Sequence, residues 1–254
     1  MKNIEAIPSS FSAKKNCLKE KIILVTGAGD GIGRCAAMTF ASYGATVLLL
    51  GKTESKLNAV YDEIVQKQWP QPALLPFDLK STDPEQYKII AKVITENFGQ
   101  LDGLLHNAGI LGDRTSIESY KPNRWMETLQ INLNAPLLLT QALLPLLKNG
   151  RHASIIFTSS GVGRTGRAYW GAYGVSKFAT EGLMETLAEE LVETTKIRVN
   201  CINPGPTRTT MRAQAYPGEN PESLKTPEQL MQTYLYLMSD ESIQVTGQSF
   251  DAQK

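Results

Sequence analysis

The chain has 254 residues, of which 42% are hydrophobic and 20% charged, proportions typical of a globular protein with a large core. Its 26 basic and 25 acidic residues leave a formal net charge of +1, which excludes the strongly basic surface typical of nucleic-acid-binding proteins. The three cysteines and two histidines show no metal-ligand spacing, which argues against a metal site. Few cysteines are also typical of reduced thiols, so we expect a cytoplasmic protein.

The N-terminal residues 1–18 form a polar arm without the apolar segment of a secretory signal. The longest apolar run, at residues 135–147, has 13 residues and contains Gln141 and Pro145. A membrane-spanning helix needs roughly 20 apolar residues, so we expect no membrane partner. No linker, repeat or low-complexity block divides residues 19–254, which indicates a single domain after the arm.

Short apolar runs alternate with longer amphipathic segments along this domain. The runs predict buried strands at residues 21–26, 45–50, 73–78, 101–106, 154–159, 197–202 and 247–251. The amphipathic segments predict helices at residues 32–43, 54–68, 84–98, 123–148, 174–193 and 227–239. This alternation indicates an α/β fold, a doubly wound parallel sheet of about seven strands with helices on both faces. In such sheets the ligand binds beyond the carboxyl ends of the strands.

A glycine-rich turn follows the first predicted strand and opens the first predicted helix. Gly27 would permit the tight turn, Gly31 a close approach to a pyrophosphate, and Gly33 close packing of helix on strand. The phosphates would then bind amides at the helix N-terminus, including that of Ile32. A plain glycine-rich turn is the alternative, but this position in a strand-turn-helix unit favours a bound dinucleotide.

The end of the next strand indicates which dinucleotide. Sites that prefer NAD usually place an acid here to bind the ribose 2′-hydroxyl. This chain has Gly51 and Lys52 instead, which leave room for a 2′-phosphate and supply a cation for it. Asp30 is a counter-argument, because its charge would oppose that phosphate. The pattern favours NADP over NAD.

Residues 159–177 concentrate candidate catalytic side chains. Tyr169, Tyr173 and Lys177 are spaced by four, so a helix through them would place all three on one face. Two serines, Ser159 and Ser160, open the segment. The residues alone also fit a glycine-rich loop with scattered surface charges, and they do not say which tyrosine and serine would react.

Five motifs in order and spacing resemble the compact branch of the short-chain dehydrogenase/reductase family, close to an uncharacterised bacterial oxidoreductase subgroup. They are TGAGDGIG (26–33), HNAG (106–109), TSS (158–160), YGVSK (173–177) and NPGPT (203–207). The resemblance covers about residues 20–250 and implies one dinucleotide-binding and catalytic domain. It selects Tyr173, Lys177 and Ser160 as catalytic residues, rather than Tyr169 and Ser159.

The implied chemistry is hydride transfer between nicotinamide and a carbonyl or secondary alcohol, with Tyr173 as general acid or base. A free tyrosine, with a pKa near 10, is a poor base at neutral pH. The Lys177 ammonium and an oxidised nicotinamide would both lower that pKa. Ser160 would polarise the carbonyl oxygen, and Lys177 would also hold the nicotinamide ribose.

The resemblance further implies an asparagine that holds a water and links the lysine to solvent. Asn132 matches by position and Asn134 is the nearby alternative, while an asparagine that merely interrupts a helix is a third reading. Further cofactor contacts are implied at Asp78, Leu79, Asn107, Ala108, Gly109, Pro204, Gly205 and Thr207. Of these, Asp78 would bind the adenine amino group and Thr207 the nicotinamide carboxamide. His106 is instead expected to pack at a strand end.

The substrate is the part that the sequence defines least. Arg164 and Arg167 could form a fork for a substrate carboxylate or phosphate, or could face solvent or a neighbouring subunit. Trp170 could supply an apolar wall. Residues 208–229 are polar and rich in proline and glycine, which predicts a mobile lid.

Two functions fit these motifs. The first is an NADP-dependent reductase of a small-molecule carbonyl compound, acting as a homo-oligomer, either a dimer or a tetramer. The alternative is a non-enzymatic NADP-binding sensor or scaffold with the same fold. Such a protein would be free to lose Tyr173 or Lys177, and this chain keeps both, which favours the enzyme.

Overall fold

A computed structural model describes residues 4–253. Its centre is one sheet of eight parallel strands in the order β1-β8-β7-β6-β5-β2-β3-β4. The strands are β1 (Ile4–Glu5), β2 (Ile22–Thr26), β3 (Thr46–Gly51), β4 (Ala73–Pro76), β5 (Gly103–His106), β6 (Ser154–Thr158), β7 (Arg198–Asn203) and β8 (Ser249–Asp251). The predicted doubly wound parallel sheet is therefore confirmed.

The helices are α1 (Gly31–Ser42), α2 (Glu54–Gln66), α3 (Pro84–Phe98), α4 (Pro122–Leu129), α5 (Ala135–Asn149), α6 (Gly171–Val192), α7 (Thr210–Ala215) and α8 (Met231–Met238). They cover both faces of the sheet, and each face has its own apolar core. On β2, Ile23 and Val25 pack into one core together with Phe40 of α1. Leu24 packs into the other together with Leu139 of α5. Burial on both faces explains why the strands read as continuous apolar runs rather than alternating ones.

The eighth strand comes from the N-terminal arm. Ile4 and Glu5 pair in parallel with the edge of β8. Phe11 packs edge-on against Tyr236 of α8 at a ring-centroid distance of 5.1 Å, and Leu18 is fully buried. Part of the arm is thus attached to the domain, while residues 1–3 lie outside the described residues.

Two predicted helices differ from the observed ones. The segment at 123–148 is not one helix, because a π-helical turn over Gln130–Asn134 separates α4 from α5. Helix α6 begins at Gly171, three residues before its predicted start, which places Tyr173 on its first turn. Gly171 has φ +32°, a value that glycine adopts without the strain of a side chain.

The chain order reverses between β2 and β5, the two neighbouring strands at the centre of the sheet. From β2 the chain builds outward through β3 and β4, and from β5 it builds the other way. The carboxyl ends of these strands leave a crevice at this point, where ligands of doubly wound sheets bind. Among residues 4–253, no helix combines the length and the apolar character needed to cross a membrane.

Candidate active site

A cleft of about 710 Å³ opens at the carboxyl ends of the strands. Most of the predicted site residues line it: Gly27, Gly31, Ile32, Lys52, Asp78, Leu79, Asn107, Ala108, Gly109, Ser160, Arg167, Tyr173, Lys177, Pro204, Gly205 and Thr207. Gly33, Asn132 and Arg164 do not line it directly. In the part of the chain that the structure describes, no cluster of three metal-ligating side chains occurs.

The glycine turn forms a cradle at the N-terminus of α1. Gly27 has φ +68° and Gly31 has φ +51°, in the left-handed region that favours glycine. A Cβ at Gly33 would lie 2.3 Å from the Gly27 carbonyl oxygen, so only glycine allows α1 to approach the turn this closely. The α1 N-terminus faces the cleft, and the backbone amides of its first turn suit the pyrophosphate of a dinucleotide.

Two lysines and one aspartate lie beside this cradle. Lys52 follows β3, and Lys56, on the first turn of α2, lines the same cleft. Lys56 Nζ lies 2.5 Å from Asp30 Oδ2, and this hydrogen bond lowers the pKa of Asp30. Asp30 also caps α1 by accepting from the Gly31 amide at 2.7 Å. The Asp30 charge is therefore paired, and sequence reasoning missed Lys56 although it lies four residues after Lys52.

The turn after β5 is held by Thr26 at the end of β2. The Thr26 hydroxyl accepts from the amides of Asn107 and Ala108, both at 3.0 Å. His106 is buried, stacks on Phe157 at 4.7 Å, and burial lowers its pKa to about 3. A neutral, packed imidazole fits the packing role expected for His106.

Tyr173 and Lys177 lie one turn apart on α6 and both are buried. Lys177 Nζ is 5.6 Å from the centre of the Tyr173 ring and donates to the Thr158 carbonyl oxygen at 2.6 Å. Burial lowers the pKa of Lys177 to about 8, while the charges of Cys201 and Glu181 oppose this shift. Burial also raises the pKa of Tyr173, and a hydrogen bond with Ser160 lowers it.

The two serines after β6 have different surroundings. Ser160 is half-buried and lines the cleft beside Tyr173. Ser159 is buried, and its hydroxyl donates to Glu181 Oε1 at 2.5 Å. The structure therefore brings Ser160, rather than Ser159, together with Tyr173. Tyr169 is 61% exposed and does not line the cleft.

Asn132 lies in the π-helical turn, 2% exposed, and its side chain bridges two elements. Its Oδ1 accepts from the Ile110 amide at 2.8 Å, and its Nδ2 donates to the Ile110 carbonyl and to Ser176 Oγ. A Cβ at Gly109 would lie 3.2 Å from Asn132 Oδ1 and 3.8 Å from Lys177 Nζ. Both groups therefore border the same space.

Asn134, the alternative to Asn132, is exposed and donates to Gln130 Oε1 at 3.3 Å. It does not lie with the buried cluster around Lys177. The structure thus distinguishes the two asparagines by burial, which the sequence alone did not.

The predicted pair of arginines for a substrate anion is not formed. Arg164 turns away from the cleft and donates to Asp251 Oδ1 at 2.6 Å, to Ser249 Oγ at 2.7 Å and to the buried Glu181 carboxylate. These partners neutralise its charge, so the expectation that Arg164 binds substrate is wrong. Arg167 is exposed and lines the cleft.

Residues 208–229 fold over the cleft mouth as α7 and short turns. Met211 and Tyr216 from this segment line the cleft, and Trp170 stands opposite, 6.0 Å from the Tyr216 ring. Arg114, which the sequence did not single out, lies over Trp170 at 4.2 Å and donates to the Ala215 carbonyl at 3.1 Å. The substrate side of the cleft is therefore largely aromatic and apolar.

Residues 21–220 match the family model described as short chain dehydrogenase. The chain is 52% identical over 243 residues to the uncharacterized oxidoreductase YciK of Escherichia coli K12, covering 96% of both chains. It is 32% identical over 240 residues to the 3-oxoacyl-[acyl-carrier-protein] reductase FabG of Thermotoga maritima, covering 91% of this chain and 95% of the other.

Two solved structures, each described as a short chain dehydrogenase, give a TM-score of 0.92 at 53% identity, with 95% of this chain and 100% of theirs covered. One is from Shigella flexneri, complexed with NADP, and the other from Escherichia coli CFT073, complexed with NADPH. The expected family and subgroup are confirmed by these matches across nearly the whole chain. This chain belongs to the short-chain dehydrogenase/reductase family of oxidoreductases.

Proposed function

We propose that the protein is an NADP-dependent oxidoreductase that transfers a hydride between nicotinamide and a carbonyl compound or secondary alcohol. The observation that carries this proposal is the buried Tyr173 beside Lys177 and Ser160, in a cleft that also contains the glycine cradle. Relatives at 53% identity that were crystallised with NADP and NADPH support the choice of cofactor.

When bound, the cofactor supplies or accepts the hydride, and the chain handles the proton. In the reducing direction Tyr173 Oη donates its proton to the carbonyl oxygen, and in the oxidising direction it accepts the alcohol proton. Ser160 Oγ donates a hydrogen bond to the same oxygen and so stabilises the charge that develops there. A positive charge beside a phenol favours its anion, and this is the role that we propose for the Lys177 ammonium at Tyr173.

Asn132 is assigned to the proton path behind Lys177. Both of its amide hydrogens are already donated, to Ile110 and to Ser176, and one lone pair of Oδ1 accepts from Ile110. Its remaining lone pair borders the space next to Lys177 Nζ. Asn132 is thereby suited to accept from one water that exchanges protons with Lys177.

The cofactor would be held by three parts of the cleft. The amides at the α1 N-terminus would bind the pyrophosphate, and Asp78 would accept from the adenine amino group. Lys52 and the neighbouring Lys56 would bind the 2′-phosphate that distinguishes NADP from NAD. The turn around Thr207 would face the nicotinamide carboxamide.

The substrate class follows from the walls opposite the cradle. Trp170, Tyr216 and Met211 form an aromatic and apolar surface that suits a carbonyl compound with a bulky apolar part. Arg167 is an exposed cation that lines this side of the cleft, and no hydrogen bond or ion pair of its guanidinium occurs among the residues that the structure describes. It is positioned to bind a carboxylate on such a substrate.

We also propose a homo-oligomer that forms through α6 and its neighbours. Val175 and Phe178 on α6, and Met126 on α4, expose large apolar side chains. Helix α6 carries the catalytic residues on its opposite, buried side, so association would stiffen the site. Light scattering in solution tests the state, and a monomer at micromolar concentration would contradict it.

The reaction itself is tested with the purified protein, NADPH and a panel of aromatic and alicyclic ketones and aldehydes. We expect NADPH oxidation with formation of the matching alcohol, and slower turnover with NADH. Tight NADPH binding without oxidation on any carbonyl would favour a non-enzymatic sensor. Absence of NADPH binding would contradict the proposal.

A further inference from the structure

The last described residues contact the turn that follows β7. Gln253 Nε2 lies 2.7 Å from the Pro204 carbonyl oxygen, 2.9 Å from the Pro206 carbonyl oxygen and 3.2 Å from Thr207 Oγ1. One amide group thus contacts three acceptors of a turn that borders the cleft. The chain returns to this turn from 46 positions downstream of Thr207.

The turn has few donors of its own. Pro204 and Pro206 lack backbone N–H groups, and the Gly205 amide is used by Asn203 Oδ1 at 3.1 Å. Gly205 also has φ +69°, and a Cβ on it would lie 3.1 Å from the Gln253 side chain. The two N–H groups of Gln253 Nε2 therefore supply donors to a turn that has few of its own.

These contacts also orient the Thr207 hydroxyl. Thr207 Oγ1 lies 3.1 Å from the Gly205 carbonyl and 3.3 Å from the Pro204 carbonyl, and it accepts from Gln253. A hydroxyl has one proton to donate, so accepting from Gln253 leaves that proton for one of the two carbonyls. The contact with Gln253 therefore restricts the hydroxyl proton to the side of the Pro204 and Gly205 carbonyl oxygens.

The two residues that precede Gln253 are both anchored by hydrogen bonds. Asp251 Oδ1 accepts from Asn203 Nδ2 at 2.8 Å and from Arg164 Nη1 at 2.6 Å. The Ala252 amide donates to the Asn203 carbonyl at 3.0 Å. This explains the position of Arg164, whose charge holds the C-terminal segment rather than a ligand.

We propose that Gln253 is a positioning residue for the nicotinamide end of the cofactor, because it fixes the Pro204–Thr207 turn from behind. The inference rests on the proposed function, in which this turn faces the nicotinamide. It assigns a role to a side chain outside the cleft lining, in a C-terminal segment for which the sequence motifs imply none.

The test compares two ligands on Gln253→Met, which keeps the side-chain length and removes the donors. NADPH contains the nicotinamide, whereas adenosine 2′,5′-bisphosphate contains only the adenine end. We expect Gln253→Met to weaken NADPH binding about five- to tenfold and to leave adenosine 2′,5′-bisphosphate unchanged, both measured by calorimetry. Gln66→Met, at the exposed end of α2, is the matched control and should change neither.

Unchanged NADPH affinity in Gln253→Met would overturn the inference. Equal weakening of both ligands would overturn it as well, because it would show a general structural role. If the unaltered protein bound neither ligand, the proposed function would fall and this inference with it, a result distinct from the other two.

Discussion

The catalytic cluster and the segment over the cleft mouth are built in different ways. Asn132, Tyr173 and Lys177 are at most 9% exposed and belong to helices packed on the sheet. Helix α7, in contrast, has no buried residue, and Arg212 ties its segment to Glu219. Partly exposed ion pairs of this kind contribute little to stability. We infer that the buried residues determine the reaction. Residues 208–229 determine the choice of substrate, and substitutions in them cost little stability.

Among the residues of the catalytic cluster, we expect the largest loss of activity on substitution of Tyr173. Tyr173→Phe should lower kcat by a factor on the order of 10²–10⁴, because only the proton donor is lost. NADPH affinity, measured by calorimetry, should stay the same. Tyr169→Phe is the control and should keep most activity, since Tyr169 is exposed outside the cleft. The reverse pattern would mean that the wrong tyrosine has been assigned.

Replacing Lys177 should show that burial of its charge destabilises the fold. Its pKa falls from 10.5 to about 8, so between these values the unfolded chain binds more protons than the folded one and stability rises with pH. Below pH 8 the burial of the Lys177 ammonium therefore lowers the free energy of unfolding by about 3 kcal/mol. Lys177→Met should therefore abolish activity but raise the free energy of unfolding at pH 7. This gain should decrease by about 3 kcal/mol between pH 8 and pH 10.5. Denaturant titrations with a pH-independent gain would contradict the burial of a charged lysine.

Lys52, which is exposed, tests the cofactor end of the cleft through the preference for NADPH over NADH. Lys52→Ala should reduce the preference for NADPH over NADH about tenfold, the worth of a charged hydrogen bond to the 2′-phosphate. Lys52→Arg should retain it. Equal affinities for the two cofactors in the unaltered protein would contradict the proposed role.

Arg167 should give the smallest effect, on the substrate side. With a carbonyl acid and its methyl ester as matched substrates, Arg167→Ala should reduce the preference for the acid about three- to tenfold, as for loss of one exposed charge-assisted contact. Arg164→Ala should destabilise the fold, since it leaves Glu181 buried without this partner, but the preference should persist. A preference that survives in Arg167→Ala would mean that this arginine does not bind substrate.

The sequence predicted the fold well where local pattern and burial agree. Strands buried on both faces have long apolar runs, so all seven expected strands are present near their expected positions. The eighth, β1, has two residues in a polar arm and exists only because the edge of β8 is there to pair with. The apolar pattern over residues 123–148 did not predict the π-helical turn, although the family resemblance implied a bend in the helix at Asn132. The hydrogen bonds of Asn132 to Ile110 and Ser176 come from distant parts of the chain.

The site shows the same limit. Residues that follow strands were predictable, because parallel strands bring their carboxyl ends to one edge. The direction of Arg164 was not, because its partners Glu181 and Asp251 lie 17 and 87 residues away. For the same reason nothing in the local sequence indicated that Gln253 contacts the turn after β7.

The separation of chemistry from specificity is tested most directly by kcat/KM over a panel of carbonyl substrates in two variants. Ser160→Ala removes a hydrogen bond from the cluster, and Met211→Ala removes part of the apolar wall that α7 contributes and so enlarges the substrate side of the cleft. We expect Ser160→Ala to lower kcat/KM for every substrate by a similar factor, and Met211→Ala to change their rank order. A reordered panel in Ser160→Ala, or a uniform loss in Met211→Ala, would contradict the separation.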